Sequence, residues 1–368
     1  MRFDFYMPVK VISGEDCIRK NMTWLSIGKK CLIVTGRRSA VASGALTDVA
    51  YVLEELGIEY KLFDRVIENP PLSICYEGGR EAHSFGADFV IGIGGGSPLD
   101  AAKAIAAFAA NPGVPPMALY DEELAPALPI VAVPTTAGTG SEVNQYSVIT
   151  LDESNKKRTL SSAHIYPKVA FLDQRYIATQ SEEGMLSTTL DAFCHCFESY
   201  LSPRANTFTC SLAAEGATVL WKALVKGVFK DHSRNTCAEL LYASTLGGIV
   251  IGMTGTGFPH PMGYPLTLKR GLPHGRACAA FYEEYIAYNQ KNEEGRGKIN
   301  ALCEKLGSSP REVGARIFAL SSHGIKLSEA EADAYIDDIR NAKNYANSPY
   351  VLSFEEIKAI YRKLFVNA

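Results

Sequence analysis

The chain has only 2 tryptophans in 368 residues, and its charge is close to balanced, at −3. It has no basic stripe and no long block of one sign, which removes the electrostatic footprint of a nucleic-acid partner. The first residues, Met1 to Met7, lack the basic start and apolar run of a secretory signal, so a cytoplasmic location is expected. The 9 cysteines are odd in number and contain no CxxC pair, which argues against a disulfide framework and fits reduced thiols. Leu240 to Leu268 carries no charged residue and nominally meets the length of a membrane span. Repeated glycines and three prolines interrupt it, so a buried helix running into a loop is the expected reading, with no membrane partner. The GxGxxG fingerprint of the ordinary Rossmann turn is absent as well.

What remains is a soluble globular composition, 47% apolar, in a chain long enough for about two domains. The first half alternates short β-branched runs with helical stretches. Lys30–Thr35, Tyr60–Phe63, Asp88–Ile93 and Leu128–Val133 read as strands, and Leu46–Leu56, Leu72–Phe85 and Leu99–Ala110 as helices, with Val169–Asp173 closing this part. That alternation implies a parallel sheet with helices on both faces. After about Ser181 the signal becomes helical, through Leu212–Leu220, Ala238–Ile251, Lys298–Leu306 and Phe354–Phe365. Asp337–Asn347 is expected to be a solvated helix face. The fold class is therefore an α/β Rossmann-like dinucleotide-binding domain over 1–180, followed by an all-α domain over 181–368.

The helical half carries the candidate metal ligands Asp191, His195, His260 and His274. Asp191 and His195 stand four apart on a helix, so carboxylate and imidazole share one face. On one straight helix His260 and His274 would lie about 21 Å apart. Pro261, Gly263, Pro265, Gly271 and Pro273 are expected to break the chain and return both to one centre. Three imidazoles and a carboxylate suit Zn²⁺ or Fe²⁺ and are too nitrogen-rich for Mg²⁺ or Ca²⁺. Taken singly, each histidine reads as an ordinary loop or core residue; the four together do not. Cys194 and Cys196 flank His195 but point off its face, as packing residues.

Two loops in the first half fit a dinucleotide. Gly94, Gly95, Gly96 and Ser97 follow a buried strand and open a helix, where backbone amides and the helix dipole favour a phosphate. Pro98 is expected at the first helical position. Thr135, Thr136 and Thr139 stand in a second Gly-rich loop after the Leu128–Val133 strand, with hydroxyls for another edge of the cofactor.

The residues Gly94-Gly95-Gly96-Ser97-Pro98-Leu99-Asp100-Ala101-Ala102-Lys103, Pro134-Thr135-Thr136-Ala137-Gly138-Thr139-Gly140-Ser141-Glu142, Phe258-Pro259-His260-Pro261-Met262-Gly263-Tyr264-Pro265-Leu266 and Leu272-Pro273-His274-Gly275, with Asp191 and His195, resemble the iron-containing alcohol dehydrogenase family. The wording around His260 is most similar to its butanol and 1,3-propanediol dehydrogenase branch. The resemblance implies a dehydroquinate synthase-like architecture, hydride transfer between a nicotinamide cofactor and a small alcohol or aldehyde, and one divalent ion, Fe²⁺ or Zn²⁺. That ion would act as a Lewis acid on the substrate oxygen it binds, in a cleft between the domains. The resemblance also places Asp100 near the cofactor, and Lys157 near its phosphate and ribose; Lys156 and Arg158 compete for the latter role. A homodimer, paired through the first domain's edge strand, is implied too.

Two departures from the family pattern matter. Members preferring NAD usually carry Asp where this chain has Gly36; Gly36, Arg37, Arg38 and Ser39 here suit a 2′-phosphate, so NADP(H) is expected over NAD(H). Some relatives carry a non-liganding histidine where this chain has Tyr264, which either joins a proton route or walls the pocket. A glycerol dehydrogenase-like polyol enzyme and a dehydroquinate synthase-like lyase are the alternatives. Phe193, Phe197, Phe258, Met262 and Leu266 are expected to make the surroundings too apolar for the lyase's phosphate-bearing substrate.

Overall fold

In a computed structural model, which describes residues 3–121, 124–322 and 324–367, the chain divides into two compact units. One comprises Tyr6–Ser181 with Lys230–Gly252; the other comprises Met1–Phe5, Glu182–Phe229 and Met253–Ala368. The cut at Ser181 lies one residue from the boundary expected from sequence. The helix Arg234–Thr254, expected in the second domain, contributes most of its length to the first unit.

The first unit is built on six parallel strands in the order β1-β8-β5-β4-β2-β3. They are β1 (Lys10–Ser13), β2 (Lys30–Thr35), β3 (Glu59–Phe63), β4 (Phe89–Gly94), β5 (Ile130–Pro134) and β8 (Val169–Leu172). In β2 the alternation of side chains sends Leu32 and Val34 into one core and Cys31 and Ile33 into the other. Both faces are thus covered, and the central strands read as unbroken apolar runs for that reason. The edge strand β3 is mostly exposed and carries Glu59 and Lys61, a composition that discourages further pairing. Helices α1 (Ala45–Glu55), α2 (Leu72–Phe85) and α3 (Gly96–Ala110) cover the sheet. Strand β1 and the antiparallel hairpin of β6 (Tyr146–Leu151) and β7 (Lys156–Ser161) were not among the sequence expectations.

Chain order places β3 on one side of β2 and β4 on the other. The strand order therefore reverses between β2 and β4, and ligands of such sheets bind at the carboxyl ends of the strands flanking that point. Gly36–Ser39 leave the end of β2, and Gly94–Ser97 lie at the end of β4.

The second unit is helical, led by α4 (Glu182–Leu201), α5 (Thr207–Lys226), α6 (Pro259–Arg270) and α7 (His274–Ala279). Asn206 caps α5 through its side chain, with Thr209 returning the bond, which satisfies amides that the first turn leaves open. Pro261, Gly263 and Pro265 do not break the chain as expected; all three lie inside α6. Pro261 falls in the first turn, where its missing N–H removes no helical bond. The reversal comes instead at Gly271, in the left-handed region at φ 67°. The expected solvated face over Asp337–Asn347 is also corrected: the helix ends at Ile339, and a 3₁₀ turn at Lys343–Asn347 buries Tyr345 and Asn347. None of the 9 cysteines forms a disulfide, and Cys194 and Cys196 are fully buried.

Candidate functional site

Helix α4 presents Asp191, His195 and Glu198 at positions i, i+4 and i+7, on one buried face. Asp191 Oδ1 lies 3.5 Å from His195 Nε2, 3.6 Å from His260 Nε2 and 3.8 Å from His274 Nε2. Four donors around one tetrahedral ion, with bonds of 2.0–2.2 Å, stand about 3.3–3.6 Å from one another. The four ligands expected from sequence are thus brought to one point, at separations an ion can bridge. Asp191 Oδ1 and His260 Nε2 are buried and make no hydrogen bond, an arrangement that costs free energy unless a cation satisfies both. Burial raises the Asp191 carboxyl, but His195, His260 and His274 overcome that and hold it below the usual carboxylate range.

Glu198, to which the sequence reading gave no role, orients His260. Its Oε2 accepts from Gly257 N at 2.7 Å and lies 2.8 Å from His260 Nδ1. Assigning the proton to Nδ1 satisfies that contact and leaves the Nε2 lone pair directed at Asp191. Burial raises the Glu198 carboxyl, while His260 pulls it back. The signal was present in the sequence: Glu198 follows Asp191 by seven residues and His195 by three.

His274 begins α7, and its approach depends on the next residue. A Cβ at Gly275 would stand 1.9 Å from Ser187 O and 2.7 Å from Asp191 N, so α7 crosses α4 backbone against backbone. The Tyr264 ring stacks on His274, with centroids 5.7 Å apart and planes at 29°. One turn after His274, Cys278 brings its Sγ to 3.8 Å from His274 Nε2. Cys278 was missed because it lies outside the Asp/His pattern, although its spacing repeats that of Asp191 and His195. Phe193, Phe197, Phe258, Met262 and Leu266 are all fully buried in the core. They wall no substrate pocket, so the expected argument from them against a phosphate-bearing substrate falls.

In the first unit, the two candidate nucleotide loops touch. Cβ atoms at Gly95 and Gly96 would meet Thr136 at 3.2 Å and Thr139 at 2.6 Å, so Gly96 above all lets the loops close on each other. Gly94 has φ 150°, outside the range that other residues favour. Helix α3 begins at Gly96, which puts Pro98 third rather than first; among the described residues no side chain caps this turn. Gly95, Gly96, Ser97, Thr136 and Thr139 are half-buried, whereas Thr135 is buried. Ser97 Oγ accepts from Asn69 N at 3.1 Å.

Asp100 is engaged within the protein: Oδ1 accepts from Ser141 Oγ at 2.6 Å and Oδ2 from Val148 N at 2.9 Å. It fastens the turn after the threonine loop to α3. Lys103, also without a role in the sequence reading, completes this fastening by donating to Ser141 Oγ at 2.8 Å and Tyr146 O at 2.7 Å. Burial pushes the Lys103 ammonium down to about 8 and the Glu142 carboxyl up to about 7. Burial raises the Asp100 carboxyl; Lys103, the bonds from Ser141 and Val148, and the charge of Lys157, half-buried on β7, pull it only part of the way back. The neighbours of Lys157 differ: Lys156 is exposed, and the Arg158 guanidinium lies 4.4 Å from the centre of the Tyr120 ring. Past β2, Gly36 is half-buried and Arg37, Arg38 and Ser39 are exposed. Among the described residues neither the Arg37 nor the Arg38 side chain has a hydrogen bond or an ion pair.

Comparisons with known proteins agree with this geometry. The family model for iron-containing alcohol dehydrogenase matches residues 8–174, and that for the C-terminal part of the Fe-containing alcohol dehydrogenase family matches 185–365. A long-chain primary alcohol dehydrogenase of Thermoanaerobacter ethanolicus is 30% identical, over 82% of this chain and 72% of its own. An NADPH-dependent butanol dehydrogenase of Clostridium saccharobutylicum is 30% identical, over 84% and 80%. A solved iron-containing alcohol dehydrogenase of Thermotoga maritima is 34% identical, with a TM-score of 0.91 and 99% of both chains covered. The solved 1,3-propanediol oxidoreductase is 26% identical, with a TM-score of 0.87 over 99% of this chain and 100% of its own. The chain belongs to the iron-containing alcohol dehydrogenase family.

Proposed function

We propose that the protein interconverts a small primary alcohol and its aldehyde, with NADP(H) as hydride carrier and one Fe²⁺ or Zn²⁺ ion held by Asp191, His195, His260 and His274. The observation that carries this reading is Asp191 Oδ1 within 3.5–3.8 Å of three imidazole Nε2 atoms. A divalent ion there supplies Lewis acidity toward a substrate oxygen. Glu198 keeps His260 in the tautomer and orientation such an ion needs. Tyr264 braces the His274 ring and shapes the space beside it.

For the cofactor, the uncapped first turn of α3 offers amides and a dipole to a pyrophosphate. Lys157 adds positive charge near the same turn. The half-buried Thr136 and Thr139 border the turn from the second loop. Arg37 and Arg38 carry charge with no internal partner among the described residues, at the end of the strand where an adenosine ribose is expected. They support a 2′-phosphate and hence NADP(H), while Gly36 avoids the repulsion a carboxylate would bring.

Initial rates of aldehyde reduction with each cofactor test this reading. NADPH is expected to exceed NADH by about tenfold or more in kcat/KM, equivalent to about 1.4 kcal/mol. Gly36→Asp should move the ratio toward NADH. Its Cβ would lie 3.1 Å from Val66 O, so the loop must give slightly, and the ratio rather than the absolute rate is the informative quantity. Equal use of both cofactors by the wild type would remove the NADP(H) assignment.

A further inference from the structure

Cys278 follows His274 by four residues on α7, and its thiol is buried among the candidate ligands. With Asp191, His260 and His274 it forms a group whose donor atoms all lie within 4.8 Å of one another. Bonds of about 2.3 Å to sulfur and 2.1 Å to nitrogen let donors of one ion stand up to about 4.4 Å apart. A small adjustment of side chains therefore brings the whole group onto one centre. Independently of the cysteine, Asp191 Oδ1 and His260 Nε2 are buried polar atoms without a hydrogen bond, members of the same group. The other two cysteines near the site belong to α4 itself, where they flank His195 on different faces.

We propose that Cys278 is a fifth protein donor of the centre, engaged by thiophilic ions such as Zn²⁺ and dispensable for Fe²⁺. The proposal rests on the reading that Asp191, His260 and His274 hold the ion. Imidazole and carboxylate accept either metal, whereas thiolate sulfur favours the softer one. On binding, the thiol proton passes to solvent and a metal–sulfur bond forms, with no change of oxidation state. Sulfur ligation also fills a position that an open, catalytic site leaves for substrate, so the bound metal decides how open the centre is.

X-ray absorption on the full chain, stripped with a chelator and reloaded with Zn²⁺, reads this directly. The wild type should show a sulfur neighbour at about 2.3 Å beside nitrogen and oxygen neighbours at 2.0–2.2 Å. Cys278→Ser should lose the sulfur shell and weaken Zn²⁺ binding by about tenfold or more, with little change in Fe²⁺ binding. Cys196→Ser should keep the shell. Stoichiometric Zn²⁺ with only nitrogen and oxygen neighbours in the wild type would overturn the proposal and leave the four-ligand centre standing. A sulfur shell persisting in folded Cys278→Ser would also overturn it. Failure of the wild type to bind Zn²⁺ would overturn this proposal, and failure to bind Fe²⁺ as well would overturn the metal centre with it.

Discussion

Glu198 shows how one residue governs a site without belonging to the ligand set. Its carboxylate holds His260 Nδ1 and the Gly257 amide at once, inside a core where an unpaired carboxylate would be costly. Glu198→Gln keeps the shape and removes the charge. Metal affinity should fall about 10- to 100-fold, as measured by titration of the stripped protein, with the fold retained. Unchanged affinity would show that His260 needs no such anchor. Tyr264 is the second test at this scale. Its ring is stacked on His274, an arrangement that favours the wall role. Tyr264→Phe should therefore be nearly silent in turnover, and Tyr264→Ala should change which alcohols are accepted. A loss of about 100-fold in Tyr264→Phe, with a displaced pH profile, would place the hydroxyl in proton transfer. The candidate ligands were legible because Asp191–His195 spacing is a helical signature. Glu198 and Cys278 obeyed the same periodicity and were overlooked, since glutamate and cysteine in an apolar helix also read as packing.

Among the elements, α7 depends on Gly275 more than on its own helix propensity. A methyl group there would sit 1.9 Å from Ser187 O, so Gly275→Ala must push α7 off α4 and carry His274 with it. Overpacking of this kind costs about 1–3 kcal/mol. Calorimetry should show a lower melting temperature, and metal analysis a reduced content. Normal values of both would mean that the crossing relaxes freely. The strands β2, β4 and β5 and helices α1 to α3 were legible because burial on both sheet faces leaves uninterrupted β-branched runs between amphipathic helices. The four-residue β1 was too short to show a period, and Lys156–Ser161 reads as charged loop though it pairs along β6. Helix α6 was misread because prolines and a glycine usually break helices. Here Pro261 falls where no helical bond is lost, and a Cβ at Gly263 would stand 3.1 Å from Ala277 C, so glycine suits the close approach of α7.

For the whole molecule, the change from strand–helix alternation to helices located one boundary near Ser181. Periodicity could not reveal that Lys230–Gly252 joins the first unit. An apolar helix records that it is buried, not which core receives it; the backbone approach of Gly248 to Gly140 decided that. The proposed function rests on a division of labour, with the candidate nucleotide loops in one unit and every candidate metal donor in the other. The most direct test of that account is metal content together with aldehyde reduction, measured on anaerobically prepared wild type, His260→Ala and His274→Ala after each is shown to be folded. About one divalent ion per chain is expected in the wild type, and a lowered metal content with loss of activity in each variant, because the imidazole removed is one of the ion's proposed donors. Full activity with a full complement of metal in either variant would contradict it.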